Sequence, residues 1–426
     1  MRLQLPTIAL LMLLMMLLLI SGHHLGAAEP TTAADWPQWR GPTRDGVTTT
    51  ARWPDRLEPA AIERVWRLPL GPSYSGPLIV GDTVFTTETR NKDTEAVYAV
   101  DRATGSMRWR AEWAGALAVP FFAASNGSWI RSTPAFADDR LYVAGMRDVL
   151  VCLNATDGTE IWRVDLMARY RTPLPSFGCV CSPLIDGPVL YVQGGGAVLC
   201  LDRATGETRW RALEDGGGMN GSAFSSPILA TIAGTRQLVV QTREKLCGLD
   251  PTTGTVLWQQ KVPSFRGMNI LTPVVVGDTI FTSSYRNKSW LFRIAKDGDP
   301  FSVTEVWNNN AQGYMSTPVV VNGHAYLHMQ NQRVTCINLA TGERTWTSNS
   351  FGKYWSMIAQ GDRILALDAR GSLVLMKADS TAFTEQGEVT VSASESWAHV
   401  AVGGNDVVVR ELDGLSLHRW TGATKP

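Results

Sequence analysis

The sequence predicts an all-β fold: an eight-bladed β-propeller of four-stranded antiparallel blades, closed by an N-terminal strand that completes the last blade. Two periodic patterns support this prediction. A tryptophan that follows a Thr-Gly turn recurs along the chain, and so does a Ser-Pro or Thr-Pro pair that opens a short apolar run. Repeats of about 40 to 50 residues are typical of propellers, in which each repeat forms one blade.

The tryptophan pattern marks the end of each repeat. Its most regular form, Ala-x-Asp-x-x-Thr-Gly-x-x-x-Trp, spans residues 99–109. A buried tryptophan removes about 150 to 250 Å² of surface from water, so one indole in each blade can fasten that blade to the next. We predict this structural docking role for seven tryptophans, namely Trp66, Trp109, Trp162, Trp210, Trp258, Trp307 and Trp346.

The proline pattern marks the start of each repeat. It occurs at 132–134, 225–227 and 316–318, among other places, and most of the apolar runs that follow end at a Gly, Asp or Asn turn. Proline at the first residue of a strand removes no ladder hydrogen bond, and glycine or asparagine permits a tight hairpin. Each repeat therefore predicts four antiparallel strands.

The ends of the array decide the number of blades. Weak copies of the repeat begin at Trp355 and Trp397, which gives a seventh unit without a docking tryptophan and an eighth unit. The eighth unit runs out of chain at Trp420 with three strands. The segment 62–70, which carries Trp66, supplies the fourth strand and leaves no open sheet edge. We therefore place the propeller at 62–426.

The N-terminus has the pattern of a targeting segment. Arg2 precedes an apolar run at 8–20, and small residues follow near 25–28. This pattern predicts a Sec-type signal peptide over 1–28, because the run is shorter than the roughly 20 residues that span a membrane. We expect a periplasmic or otherwise exported protein with no stable membrane span after cleavage, the alternative being an uncleaved anchor. Residues 29–61 are an N-terminal extension.

Composition limits the partners. Lys plus Arg and Asp plus Glu are equal at 39 each, so the chain has no net charge that would attract nucleic acid, and we expect no nucleic-acid partner. We also expect a monomer. Three of the six cysteines, Cys152, Cys200 and Cys336, occupy one repeat position and are predicted to be buried core residues. Cys179 and Cys181 form the one close pair, and their redox state is left open.

The repeat resembles the tryptophan-docking motif of the pyrroloquinoline quinone (PQQ) repeat. This resemblance rests on residues 99–109 and covers about 62–426. It implies the superfamily of quinoprotein alcohol dehydrogenase-like propellers, which includes the propeller subunit of the outer-membrane β-barrel assembly machine. The leading stretch 35–42 is similar to one that precedes such propellers in planctomycete-type proteins. Fold alone does not imply activity.

Candidate binding residues are expected in the loops that lead into the innermost strands, around the mouth of the central channel. Their aromatic, amide and cationic side chains suit a peptide, a sugar or a flat ring. The candidates for ligand or partner binding are Arg131, Arg266, Asn269, Tyr314, Tyr354, Trp355 and Trp397. We expect Trp355→Ala and Trp397→Ala to weaken capture of an envelope partner and to leave thermal stability nearly unchanged. No catalytic residue and no metal site is predicted.

Three functions are compatible with this sequence. The first is a non-enzymatic binding or scaffold protein of the cell envelope, with no cofactor and an envelope protein or peptide as partner. The second is a quinoprotein dehydrogenase that holds PQQ and calcium, but the candidate loops contain few carboxylates apart from Glu395. The third is a polysaccharide-binding propeller; a hydrolase would need two facing carboxylates.

Overall fold

The computed structural model describes residues 35–50, 52–296, 298 and 300–422. They form eight four-stranded antiparallel sheets, which confirms the predicted propeller of eight blades. The predicted signal peptide at 1–28 lies outside the described residues. No described helix has the length and apolar character needed to span a membrane.

Each of the first seven blades consists of four strands that follow one another along the chain. In blades 1 to 4 the strands are β2 (Leu78–Val80), β3 (Thr83–Arg90), β4 (Thr94–Asp101) and β5 (Met107–Ala114); β6 (Ala135–Ala137), β7 (Arg140–Gly145), β8 (Val149–Asn154) and β9 (Glu160–Asp165); β10 (Leu184–Asp186), β11 (Val189–Gly194), β12 (Ala197–Asp202) and β13 (Thr208–Ala212); and β14 (Ile228–Ile232), β15 (Thr235–Gln241), β16 (Lys245–Leu249) and β17 (Val256–Lys261). In blades 5 to 7 they are β18 (Val274–Val276), β19 (Thr279–Ser283), β20 (Ser289–Ala295) and β21 (Ser302–Asn309); β22 (Val319–Val321), β23 (His324–His328), β24 (Arg333–Asn338) and β25 (Arg344–Ser350); and β26 (Trp355–Gln360), β27 (Arg363–Asp368), β28 (Ser372–Lys377) and β29 (Glu385–Thr390).

Blade 8 joins the two ends of the ring. It contains β30 (Ala401–Gly403), β31 (Asp406–Glu411), β32 (Gly414–Trp420) and, as its outermost strand, β1 (Ile62–Pro69). Strand β1 pairs antiparallel with β32 and places Trp66 opposite Leu417. The predicted closure by an N-terminal strand is therefore confirmed.

In the part of the chain that the structure describes, helical structure is confined to short connections. The α-helix α1 (Leu166–Tyr170) begins at Asp165, whose side chain accepts a hydrogen bond from the Ala168 backbone N–H. Short 3₁₀ turns occur at Pro59–Ala61, Phe121–Asn126 and Phe265–Gly267. The second of these lies in the loop between blades 1 and 2.

Most of the repeated tryptophans link one blade to the next through a hydrogen bond. In six cases the indole N–H donates to a backbone carbonyl of the following blade: Trp66 to Arg102 (2.9 Å), Trp109 to Ala155 (2.9 Å), Trp162 to Arg203 (3.1 Å), Trp210 to Pro251 (3.0 Å), Trp307 to Leu339 (2.7 Å) and Trp346 to Asp379 (2.8 Å). Five of these rings also cover the turn glycine of the next blade, for example Gly105 beneath Trp66. The contact combines burial of an aromatic ring with pairing of its single polar group.

Trp258 departs from this arrangement. Its indole N–H donates to the side-chain oxygen of Gln237 (2.6 Å), within its own blade. The residue opposite it is Gly248, where a Cβ atom would lie 2.2 Å from the indole nitrogen. Cys247 is displaced by one position relative to the equivalent cysteines of the other repeats, so Gly248 lies opposite the indole instead. The glycine leaves room for the ring to lie on its own sheet.

The cysteines are free and buried, all six of them. Cys152, Cys200 and Cys336 each lie opposite a repeated tryptophan on the neighbouring strand. Their predicted place in the core is confirmed. Burial raises the pKa of the Cys181 thiol to about 12, which keeps that sulfur protonated at neutral pH.

Candidate functional site

The central channel opens at one face of the ring as a cavity of about 110 Å³. Because strands alternate in direction within an antiparallel blade, this face collects the turns between second and third strands and the loops that lead into the first strands. We call it the mouth face. The opposite face collects the Gly-Asp and Thr-Gly turns of the repeat.

A ring of hydroxyl groups surrounds the channel. Each belongs to the residue just before, or close to, the start of an innermost strand: Thr133, Ser182, Ser226, Thr272, Thr317 and Ser356. Neighbouring blades are joined through them, as where the Gly76 N–H donates to Thr133 (2.9 Å) and the Thr133 N–H donates to Ser182 (3.0 Å). The Ser-Pro and Thr-Pro pairs of the sequence thus link blades as well as open strands.

The N-terminal extension crosses the channel. Trp36 bridges to Ile79 in blade 1, and the Thr48 N–H donates to the Ala359 carbonyl in blade 7 (2.9 Å). Asp35 accepts a hydrogen bond from the Gly81 N–H in the first turn of blade 1. The extension therefore lies at the end of the channel opposite the mouth. We call residues 36–46 the channel plug.

Two buried arginines hold the channel plug in place. Arg40 donates to the carbonyls of Thr317 (2.9 Å) and Pro318 (2.7 Å) in blade 6, and Arg44 donates to those of Ser182 (3.0 Å) and Pro183 (2.8 Å) in blade 3. Burial lowers the pKa of each arginine to about 10, so both remain charged at neutral pH. The plug fastens two distant blades of the ring to one segment.

Trp39 brings the channel plug into the cavity lining. Its ring lies beneath both guanidinium groups, 5.6 Å from Arg40 and 5.5 Å from Arg44, and approaches the imidazole of His399 edge-on. Burial lowers the pKa of His399 to about 3, so the ring is neutral. Because its Nδ1 faces the Val400 carbonyl at 2.9 Å, that nitrogen carries the proton, and among the described residues the buried Nε2 has no hydrogen-bond partner.

The cavity wall contains a stack of aromatic rings. Tyr74 lies parallel to Trp397 with ring centroids 4.9 Å apart, and Tyr354 is nearly parallel to the same indole at 6.3 Å. The guanidinium of Arg131 lies 5.5 Å from the Tyr74 ring. Four of the predicted binding residues, Arg131, Tyr354, Trp355 and Trp397, therefore line one cavity.

The other three predicted residues lie outside the cavity lining. Asn269 is fully buried, and its amide donates to the carbonyls of Arg243 (3.0 Å) and Val262 (2.8 Å), so it joins two loops. Tyr314 packs against Tyr285 with centroids 4.7 Å apart. Arg266 is exposed on the mouth face.

The burial of Trp355 and Trp397 argues against the expectation that their replacement leaves stability nearly unchanged. Trp355 is 0% exposed and packs between Phe351 and His328, while Trp397 is 7% exposed. Aromatic residues of neighbouring loops cover both indoles, and the repeat pattern gives no sign of these contacts. Both residues contribute to the walls of the cavity and to the core.

Five cations of the mouth face lie against aromatic rings. Arg131 lies over Tyr74, Arg243 over Phe224 (4.5 Å), Arg266 and Arg286 over Phe265 (5.2 and 5.0 Å), and Lys353 over Trp397 (5.1 Å). Within the described part of the chain, none of these five forms an ion pair, and no carboxylate lines the cavity. Other arginines are paired with carboxylates on both faces, as in Arg211 with Glu214 (2.7 Å) on the mouth face and Arg102 with Asp406 (2.8 Å) on the opposite face.

A line of phenylalanines leads from solvent to the cavity. Phe121, Phe122, Phe177 and Phe224 are successive neighbours with centroids 5.7, 6.2 and 5.7 Å apart, and we call them the phenylalanine ridge. Exposure falls from 91% at Phe121 and 55% at Phe122 to 9% at Phe224, which lines the cavity. Sequence analysis missed Phe121 and Phe122. Their signal was an apolar pair within a long loop of small and polar residues.

Two buried carboxylates join blades on the mouth face. Glu95 accepts hydrogen bonds from the Met146 N–H (2.8 Å) of the next blade and the Trp113 indole (3.1 Å), and Asp148 accepts one from the Gly195 N–H (2.8 Å). Burial raises the pKa of Glu95 to about 7 and that of Asp148 to about 6. Ionisation of either group therefore acts against the folded state.

Stability should fall as the pH rises through the range in which Glu95 ionises. Its pKa is raised in the folded state, so its favourable contribution is complete below the ordinary value of 4.5 and is lost as pH approaches about 7. We expect Glu95→Gln to remove up to about 3 kcal/mol of this loss, leaving the part due to Asp148. Urea unfolding between pH 4.5 and 8 measures how the free energy of unfolding of each protein depends on pH. Parallel stability curves for the two proteins would contradict this role.

The fold and the channel define a class, the eight-bladed propellers built from PQQ-type repeats. The family model described as outer membrane protein assembly factor BamB matches residues 93–348. The chain belongs to this family.

Individual relatives have low sequence identity to this chain, but the matches extend over much of its length. BamB of Moranella endobia is 21% identical over 83% of this chain and 88% of its own length, and BamB of Yersinia pestis is 20% identical over 82% and 87%. The tetrathionate hydrolase of Acidithiobacillus ferrooxidans is 21% identical over 68% of this chain and 61% of its own.

Solved structures share the fold. The crystal structure of BamB from Moraxella catarrhalis has a TM-score of 0.62 at 16% identity and covers 86% of this chain and all of that one. The quinohemoprotein alcohol dehydrogenase of Comamonas testosteroni has a TM-score of 0.64 at 13% identity, with 92% of this chain and 81% of that one covered. At such identities the likeness concerns the fold, and activity must be argued from the site.

Proposed function

We propose that this protein is an exported, non-enzymatic binding propeller of the bacterial envelope that takes part in assembling outer-membrane or surface proteins. The observation that carries the proposal is the family match to an assembly factor, which extends over most of the blades. The mouth face supports it, because exposed aromatic rings and cations without ion pairs are typical of a protein-binding surface. The expected partner is an envelope protein or peptide.

The dehydrogenase alternative requires residues for calcium and PQQ. Calcium takes six to eight oxygen ligands, among which carboxylates are usual. The cavity offers hydroxyl groups and aromatic rings but no Asp or Glu side chain among its lining residues. The donor set therefore does not fit calcium-bound PQQ, and we propose that the protein works without a cofactor.

The polysaccharide alternative is also less well supported. Glycoside hydrolysis uses two carboxylates that flank the bond, and the described residues that line the cavity include none. Sugar rings commonly bind on open aromatic faces, whereas the Trp397 face is stacked against Tyr74 and Trp355 is fully buried. A protein ligand suits the loops of the mouth face better.

Crosslinking in envelope membranes tests the proposal. The tagged full chain is expected to crosslink to components of outer-membrane protein assembly. The double variant Phe122→Ser, Lys353→Gln should lose most of that product, because both side chains are exposed on the mouth face. The matched control is Met107→Ser, Arg110→Gln on the outermost strand of blade 1, which should crosslink as the unmodified protein does.

Two outcomes would contradict the proposal. One is equal crosslinking by the mouth variant and the control. The other is dye-linked alcohol oxidation by purified protein supplied with PQQ and calcium, which would favour the dehydrogenase. Identification of crosslinked peptides by mass spectrometry locates the contact on the ring.

A further inference from the structure

The outer end of the phenylalanine ridge exposes apolar side chains to solvent. Of the large hydrophobic side chains that are exposed in the described residues, four lie in loops of the mouth face: Phe121, Phe122, Met219 and Phe265. Isolated exposed apolar residues are ordinary, whereas a contiguous apolar surface that leads into a cavity marks a binding site. The loops between blades 1 and 4 supply the ridge.

Cations line the inner end of the ridge. Arg243 lies over Phe224, and Arg131 lies over Tyr74 at one side of the aromatic stack. The exposed Lys353 lies over Trp397 at the other side and donates a hydrogen bond to the side chain of Asn126 at 2.5 Å. Beneath them, the plug arginines Arg40 and Arg44 contribute positive charge, and their guanidinium groups donate to backbone carbonyls and lie over the Trp39 ring. The whole chain is neutral and carboxylates occur on both faces, so this positive charge is local to the cavity, whose described lining residues include no Asp or Glu.

From these contacts we propose that the mouth face binds an extended acidic peptide segment, with apolar side chains on the phenylalanine ridge and a carboxylate at the cavity beside Arg131. The inference deepens the proposed function, on which it rests, by stating the chemistry of the partner. In an extended chain successive side chains point to opposite sides, so alternate residues can contact the ridge and the cations together. Opposite charge adds attraction and selects against basic segments.

A peptide fits this surface better than a lipid bilayer. A flat membrane would contact the protruding Phe121 and Phe122, but it would not reach the inner half of the ridge, where Phe177 is half-buried and Phe224 is buried. The line of rings instead continues into the cavity, where a narrow chain can follow it. The cavity therefore gives the acidic group of the peptide a place close to the guanidinium of Arg131.

Calorimetry with synthetic hexapeptides tests this inference on the purified full chain. The probe is acetyl-Phe-Asp-Phe-Asp-Phe-Asp-amide, and its matched control carries Asn in place of each Asp. We expect the acidic peptide to bind at least about tenfold more tightly, and this preference to shrink as the salt concentration rises from about 0.05 to about 0.5 M. A peptide ending in a free carboxylate, acetyl-Phe-Asn-Phe, separates recognition of a chain end from recognition of an Asp side chain.

Variants locate the site. Phe122→Ser and Arg131→Gln should each lower the affinity for the acidic peptide by about tenfold, and Arg131→Gln should also remove the preference for the Asp peptide over the Asn peptide. The control variants Met107→Ser and Arg110→Gln, on the outer strand, should leave affinity unchanged. Because Phe122 is 55% exposed, its variant is expected to fold normally, which circular dichroism checks.

Three results would overturn the inference. The first is equal affinity for the Asp and Asn peptides, and the second is unchanged binding by the Phe122→Ser protein. The third is binding to phosphatidylglycerol vesicles with no binding of either peptide. If the peptides fail while crosslinking to assembly components succeeds, the proposed function stands and only the peptide chemistry is wrong.

Discussion

Replacement of Trp355 by alanine is expected to lower the free energy of unfolding by about 3 to 5 kcal/mol, the usual cost of removing a buried tryptophan side chain. Trp355 is 0% exposed, lies 4.3 Å from Phe351 between ring centroids and stacks on His328 at 5.9 Å. Removing the indole leaves a cavity that these rings cannot fill without shifting. Urea unfolding followed by circular dichroism measures the change.

A second aromatic variant serves as the control for Trp355. Phe121→Ala removes a ring that is 91% exposed, so its effect on stability should stay within about 0.5 kcal/mol. Equal unfolding midpoints for the Trp355→Ala and unmodified proteins would mean that the indole contributes nothing to the core. In that case its role in ligand binding, which the sequence first suggested, would regain support.

Replacement of Arg40 by methionine should cost about 3 kcal/mol or more, because each buried carbonyl that loses its donor costs about 1 to 3 kcal/mol. Methionine keeps much of the side-chain volume but cannot donate to Thr317 and Pro318, whose carbonyls lie 2.9 and 2.7 Å from the guanidinium. The channel plug would lose its attachment to blade 6. Faster proteolysis near residues 36–46 should accompany the loss of stability.

Arg52→Met provides the matched control within the same extension. The Arg52 side chain is 77% exposed and forms a surface ion pair with Asp55, which contributes little. The variant should unfold within about 0.5 kcal/mol of the unmodified protein. If Arg40→Met behaved in the same way, the plug would be a passive segment rather than a part of the ring.

The repeat pattern predicted the blades well because its signals are local. A proline at a strand start, a glycine in a turn and a tryptophan on the fourth strand each act within a few residues. The position of residues within the repeat also correctly assigned β1 to the last blade and Cys152 to the core. Trp258 was the exception, because a shift of one residue in its partner strand turned the indole onto its own sheet.

The candidate site was predicted only in part. Arg131, Tyr354, Trp355 and Trp397 do meet at one cavity, since their loops begin equivalent strands. Asn269 instead joins two loops through its amide. Periodicity identifies the loops that surround a channel, but it carries no information on which of their side chains point inward.

The sequence by itself determined the number of blades, their strand order and the closure of the ring, because alternation and turn chemistry act over short distances along the chain. Only the tertiary structure decided what fills the channel and which groups reach its mouth. Arg40 is 277 residues from the carbonyl of Thr317 that it binds, and the phenylalanine ridge combines three separate loops. Contacts of that kind depend on how the blades are arranged around the axis, and no local pattern in the sequence records them.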